Sequence, residues 1–206
     1  MGNPRNGREE DLAEQQIRER VRTELSARRF VHTQGVVDTA VELAQRFGGD
    51  IEKARMAAWI HDLAREWSAD KLQQFAERIE IPSGFALIPA LLHGPIAASL
   101  APEWFDVHDE DVLNAVRFHT TWRVGMSKLE MIICLADAIE PGRNYPEVDR
   151  IRQIAQTDLQ FALAESFDST IRYLIETQQS IFPLTVMARN EFWDQVHQVQ
   201  NREEIE

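Results

Sequence analysis

The sequence predicts an all-α fold, and three observations carry that reading. Apolar residues recur at three- and four-residue spacing through almost every segment. Those segments have helical length, and the breaks between them hold the Gly, Pro, Ser and Asp residues that stop and cap helices. No run of alternating apolar and polar residues marks a strand. A chain of 206 residues fits one domain, or a domain with a small appendage, and buries roughly 70% of its unfolded surface without help from disulfides.

Residues 1–7 are Gly, Asn, Pro and Arg without period, which predicts a disordered tail. Glu9 to Arg29 carries Leu12, Ile17, Val21 and Leu25 near helical spacing, an amphipathic helix; the arm from Arg8 to Glu24 is expected to be solvated, with a dimerisation helix as the alternative. His32 to Phe47 follows with Val36, Val37, Ala40, Leu43 and Ala44, and Gly48-Gly49-Asp50 stops it and caps the next helix. Ile51 to Ala64 is strongly apolar. Ser68 caps a short helix expected to end near Ile81-Pro82, and Pro82-Ser83-Gly84 is a loop. Pro95 is expected in the first turn of a helix that Pro102 ends. Asp109 to His119 and Ser127 to Ile139 are two more helices, and Pro141 to Pro146 is a loop. Pro146 to Thr177 reads as one long helix or two, and Pro183 to Gln200 as the last. The organisation expected is a tail and helical arm over 1–24, one domain over 25–200 and a short tail over 201–206.

With 22 basic and 34 acidic residues the net charge is −12, so nucleic acid is not an expected partner, because phosphate neutralisation needs clustered cations. A single cysteine, Cys134, excludes an internal disulfide framework and a multi-cysteine zinc site. No secretory leader and no stretch of 18 apolar residues is visible, so no membrane partner is expected and the chain reads as soluble and cytoplasmic.

Histidine and aspartate carry the functional signal. Imidazole is the commonest metal ligand, and carboxylates complete sites for borderline and hard metals. His32 opens one helix, His61-Asp62 are adjacent near the end of another, and His93 and His119 lie at or near helix ends. Asp137 stands in the apolar run Ile133-Cys134-Leu135-Ala136-Asp137-Ala138-Ile139, where a carboxylate needs a metal or an Arg partner. His108 and His197 sit in polar contexts and read as surface residues. Trp59, Phe75, Phe85, Trp104, Phe105 and Phe161 read as core; Trp122 reads as core or as a wall of a nucleotide pocket.

A His, then a His-Asp pair, then a later Asp in an all-helical chain resembles the HD superfamily of metal-dependent phosphohydrolases, and His93 and His119 resemble its two-metal branch. The words Arg29-Phe30-Val31-His32-Thr33-Gln34-Gly35-Val36, Leu92-His93-Gly94-Pro95 and Phe118-His119-Thr120-Thr121 narrow the likeness. So do Leu135 to Arg143, Thr170-Ile171-Arg172-Tyr173 and Pro183 to Asn190. Together they resemble the YqeK-type bacterial HD proteins, symmetrical bis(5'-nucleosyl)-tetraphosphatases, from about Arg28 to Asn190. Three positions depart from the family's usual words: Phe182 stands where His is usual, Trp122 where Gly is common, and Arg65 where Lys is common.

The resemblance implies an HD-domain helical bundle that cleaves diadenosine tetraphosphate into two ADP, with two divalent metals, iron first, and Mn, Co or Zn as alternatives. It implies His32, His61, Asp62 and Asp137 on one metal, with Asp62 reaching a second held also by His93 and His119. Asp62 and Arg65 are the expected catalytic residues. His32, Gly35, Arg65, His93, His119, Asp137, Arg143 and Thr185 are the expected substrate contacts. Arg65 and Arg143 are there because a polyanion needs local positive charge in so acidic a chain, and guanidinium binds phosphate bidentately. Arg123 and Arg172 are weaker candidates, and Arg172 has a helix-face acid as its alternative partner. Two rival functions stay open: an HD phosphohydrolase for another nucleotide, and a nucleotide-sensing module without turnover. A homodimer stays open as well.

Overall fold

The computed structural model describes residues 4–203, with side chains described from residue 14 onward apart from the last few. It has ten α-helices and no strand among the described residues. Helix α1 spans Pro4–Glu24. It begins inside the stretch expected as a tail; residues 1–3 of that stretch lie outside the described residues, as does the side chain of Leu12. The expectation of a solvated arm is overturned. Ile17, Val21 and Leu25 are buried at one helical face. Trp59 donates its indole N–H to Glu14 at 3.0 Å, and Trp67 donates to Glu24 at 3.1 Å. The Arg20 guanidinium lies 3.9 Å over the Trp104 ring. The arm is part of the core because its i, i+4, i+8 stripe has apolar surface to cover.

Helix α2 spans Ala27–Phe47, five residues earlier than the expected start. Ser26 decides that boundary: its hydroxyl accepts the Arg29 N–H, while its own N–H and hydroxyl donate to Glu66 at 2.6 and 2.9 Å. Gly48, at φ +66, ends the helix as expected. Helix α3 spans Ile51–Ile60, capped by Asp50, and stops at His61 rather than Ala64. Helix α4 spans Ala69–Ala76, capped by Ser68 and shorter than expected. Two single 3₁₀ turns, Phe85–Leu87 and Pro89–Leu91, lead into α5, His93–Phe105.

Pro95 falls in the first turn of α5, where its missing N–H costs no bond. Pro102 does not end that helix: it lies one turn inside, its carbonyl accepts the Asp106 N–H at 3.1 Å, and the stop comes at Asp106, φ +56. Helix α6 spans Glu110–Phe118 with Asp109 as cap. Helix α7 spans Lys128–Ile139 and opens on a capping box between Ser127 and Glu130. The last stretch divides into α8 (Val148–Ile154), α9 (Leu159–Glu176) and α10 (Pro183–Glu203), so the tail expected from 201 begins as helix.

The fold is organised around α7. Ile132, Ile133, Leu135 and Ala136 have no exposed surface, because α2, α6 and α9 pack around this helix. Helix α3 bridges α2 and α6, α5 lies on α6, and α10 closes over α9. Trp122 belongs to this core and not to a pocket wall: it is 5% exposed and stacks on Phe167 with ring centroids 3.7 Å apart. It does so at φ +59, a left-handed conformation that glycine would adopt freely. Within the described residues, no helix is long and apolar enough to cross a membrane.

Candidate metal centre

Six of the expected residues converge between α2, α3, α5, α6 and α7. His32 comes from α2, and His61-Asp62 from the turn where α3 ends. His93 is the first residue of α5, His119 follows α6, and Asp137 lies in the last turn of α7. They form two triads, His32–His61–Asp137 and Asp62–His93–His119, whose candidate ligand atoms lie within 4.8 Å of one another. Asp62 stands between them. Its Oδ2 is 3.6 Å from His32 Nε2 and 3.4 Å from His61 Nε2, while its Oδ1 is 3.4 Å from His93 Nε2 and 3.8 Å from His119 Nε2.

The protons on the imidazoles are set by what the far nitrogens touch. Nδ1 of His61, His93 and His119 lies 2.6, 2.7 and 2.7 Å from the carbonyl oxygens of Ala58, Ala90 and Val116. A carbonyl can only accept, so each Nδ1 carries the proton and each Nε2 presents a lone pair. His32 donates Nδ1–H to Glu140 at 3.0 Å. All four Nε2 atoms therefore face inward.

That arrangement fits a cation. The Nε2 atoms of His93 and His119 face each other at 3.0 Å, and Thr120 Oγ1, 3.2 and 3.0 Å from them, has one proton to give. The Nε2 atoms of His32 and His61 are buried without a satisfied hydrogen bond, and that of His32 faces the Asp137 carboxylate at 3.1 Å. Unpaired buried lone pairs are costly, and divalent metal bound among these residues would satisfy them. The donors are nitrogen and oxygen throughout; the one thiol, Cys134, is buried in α7 and outside both triads.

The local electrostatics agree except at His61. There burial works to lower the ring pKa, but Asp62 and Asp137 outweigh it and raise it, so that without an ion its Nε2 competes for a proton. Burial pushes His119 down to about 3, helped by the neighbouring His93 and His61, so its lone pair stays free at neutral pH. Burial works against the Asp62 carboxylate, but His61 and His93 outweigh it and hold the group well below the carboxylate range. Asp137 is likewise held well below that range against burial, chiefly by Arg143, then by His32, whose Nε2 faces its Oδ1 at 3.1 Å. Both carboxylates are ready as ligands.

The spacing of helix ends makes the second triad tight. A Cβ on Gly94 would meet the Arg117 carbonyl oxygen at 2.9 Å, so only glycine lets the start of α5 lie against the α6 backbone and bring His93 to His119.

The other expected contacts divide. Arg65 is exposed; its Nη1 makes only a long contact, 3.4 Å, to the Ala90 carbonyl and lies as close to His93, so its guanidinium edges the centre with free donors. Arg143 donates from Nε to the Asp137 carbonyl at 2.7 Å and pairs with its carboxylate, which makes it the Arg partner as well as a candidate contact. Gly35 has its space filled by the Glu140 carboxylate. Thr185 is buried and donates to the Thr121 carbonyl at 3.0 Å, tying α10 to the loop after His119. Phe182 packs edge-on against Phe85. Arg123 is committed to the buried Glu130 by two 2.7 Å bonds, and Arg172 pairs with Glu147.

Three residues of the centre are not among those the sequence singles out. Arg29 donates to Asp62 Oδ2 at 2.9 Å, Thr120 reaches both second-triad imidazoles, and Glu140 holds His32. Helical spacing carries a signal for two of them: Arg29 is three residues before His32, and Glu140 three after Asp137.

The HD domain family matches residues 29–142, which takes in all six converging residues and ends before α8. A Bacillus subtilis protein named bis(5'-nucleosyl)-tetraphosphatase, symmetrical, is 42% identical over 171 residues, 82% of this chain and 92% of that one. The chain belongs to the HD domain family, in its YqeK-type branch. A Halalkalibacterium halodurans relative of the same name is 40% identical, over 83% of this chain and 92% of its own length. A crystal structure from Clostridium acetobutylicum, described as a predicted HD superfamily hydrolase involved in NAD metabolism, superposes with a TM-score of 0.82 at 40% identity. That likeness covers 87% of this chain and 96% of the other.

Proposed function

We propose that this protein is a symmetrical bis(5'-nucleosyl)-tetraphosphatase: it hydrolyses diadenosine tetraphosphate to two ADP. The observation that carries the reading is the pair of inward-facing triads joined by Asp62, in a chain whose relatives bear that name over nearly their whole length. His32, His61 and Asp137, with Asp62, would hold one divalent ion; Asp62, His93 and His119 would hold the other. Such ions supply Lewis acidity, acidifying water and neutralising charge on phosphate oxygens.

The side chains of this chain do the rest. Arg65, Arg29 and Arg143 put three guanidinium groups at the edge of an acidic protein, where a polyphosphate needs them. Asp62 holds the two triads in register. Thr120 offers a hydroxyl beside His93 and His119 for a phosphate oxygen or a water. In the reaction, the oxygen of water bonds to an inner phosphorus and the central P–O–P bridge breaks. One ADP carries the new oxygen, and the other carries the old bridge.

Iron is the proposed metal, as the YqeK-type resemblance implies; the imidazole–carboxylate set without thiolate accommodates it alongside Mn, Co and Zn. The cytoplasm is the proposed compartment, in keeping with one unpaired buried thiol. The test is to load the purified protein anaerobically with Fe(II), Mn(II), Co(II) or Zn(II), supply the dinucleotide and resolve the products. ADP alone supports the proposal, and ATP with AMP refutes it. Turnover of a different nucleotide, or tight binding without turnover under every metal, selects one of the rival functions.

A further inference from the structure

We propose that Glu140 is the positioning residue of the first triad: its carboxylate holds His32 in the tautomer that leaves Nε2 free, in a recess kept open by Gly35 and Gly142. The inference rests on reading His32 as a metal ligand, and not on the identity of the substrate.

The first triad has no local device for His32. The other three imidazoles lean on a carbonyl three residues back in their own segment. His32 sits mid-helix, where the carbonyls of α2 are spent on its own backbone bonds. Its partner comes from the far end of α7, where Glu140 Oε1 lies 3.0 Å from His32 Nδ1. The second oxygen, Oε2, accepts the Gly142 N–H at 2.5 Å. Glu140 is 4% exposed and lies outside both triads, so the ring of His32 stands between its carboxylate and the centre.

The recess is built for a carboxylate and nothing larger. A Cβ on Gly35 would come within 2.6 Å of Glu140 Oε2, and a Cβ on Gly142 within 3.0 Å of both carboxylate oxygens. The backbone beneath is pinned by Arg152, which donates to the carbonyls of Ile139, Glu140 and Arg143 at 2.9, 2.7 and 2.9 Å. One carboxylate thus takes two donors at once, the His32 ring N–H and a backbone N–H. An amide cannot do so. If its oxygen faces His32, its NH2 is driven against the Gly142 N–H; if flipped, the NH2 donates to Nδ1 and the ring proton moves to Nε2. Outer carboxylates that orient a ligating histidine in this way set metal affinity as well as ring angle.

The experiment uses the full chain labelled with 15N-histidine. Long-range proton–nitrogen correlation spectra of the metal-free protein read the His32 tautomer, and chelator competition with Zn(II) reads the affinity of each ion. The native chain is expected to show His32 protonated at Nδ1, with or without a second proton on the Nε2 that faces Asp137 at 3.1 Å. Glu140→Gln is expected to show the Nε2–H tautomer and to weaken one of the two ions by about 10- to 100-fold, leaving the other unchanged. Gly35→Ala keeps the carboxylate but displaces it. Its clash falls on the far end of a flexible side chain, so the fold tolerates it, and the same ion weakens by less. This variant decides the matter if Glu140→Gln fails to fold. An Nδ1–H tautomer and unaltered affinities in both variants would overturn the role. Because the tautomer is read without metal, that outcome counts whatever the native chain binds. Failure of the native chain to take up any ion overturns the site reading instead.

Discussion

His93 and His119, in one half of the centre, each lean on a carbonyl of their own segment, whereas His32, in the other half, leans on a carboxylate 108 residues away in the sequence. The second half is almost closed to solvent: His93 and His119 are 2–3% exposed. The first is more open, with the Asp137 side chain 24% exposed and paired to Arg143. Local contacts keep a ring's tautomer as long as its own turn is folded. A distant partner keeps it only while two helices stay in register. The half that opens toward solvent is therefore also the half whose geometry depends most on the rest of the fold.

Removing the link between the halves has the largest expected effect. Asp62→Asn should lose both ions and cut hydrolysis by on the order of 10³- to 10⁴-fold, the scale seen when an essential group is deleted. Metal content per chain checks it, and retention of one full equivalent would show that the halves are independent. Behind the second half, Trp122→Ala should cost about 3–5 kcal/mol in urea unfolding, less whatever backbone strain it relieves, with metal content intact. A raised KM at unchanged stability would return Trp122 to the substrate pocket.

Gly94→Ala attacks the second half through its backbone. The new Cβ meets a carbonyl that cannot swing away, so about 1–3 kcal/mol of stability and the second ion should be lost together. Arg143→Lys probes the open half. Lysine cannot span both the Asp137 carbonyl and its carboxylate, and kcat/KM should fall about tenfold while the second ion stays. The smallest effect is at Cys134, whose thiol burial pushes well above its ordinary range. A thiol reagent should leave it unmodified in the native protein, with or without metal, and label it in denaturant; labelling on removal of the metals would show that α7 loosens without them.

Many of the helix starts are legible in the residues themselves. Ser68, Asp109 and Ser127 announce them because a cap is a local bond between a side chain and the N–H two or three residues on. Other boundaries are harder. The start of α2 depends on Ser26, whose cap is braced by Glu66 forty residues away. The arm reads as solvated because its stripe is short, and α2, α3 and α5 show what covers it. Trp122 is ambiguous in the sequence because an aromatic beside a histidine serves a core or a pocket equally well; Phe167 decides it.

By itself, the order of residues determined the helical class, the single-domain size, the acidic surface and the cast of imidazoles and carboxylates. These follow from periodicity, capping and composition, which act within a few turns of chain. Tertiary structure alone decided which nitrogen of each ring carries a proton, which arginines are free and which are already paired, and what fills the space beside Gly35. Those outcomes depend on contacts between groups far apart in sequence, and a hydrogen bond or a close approach between such groups leaves no trace in the spacing of either one.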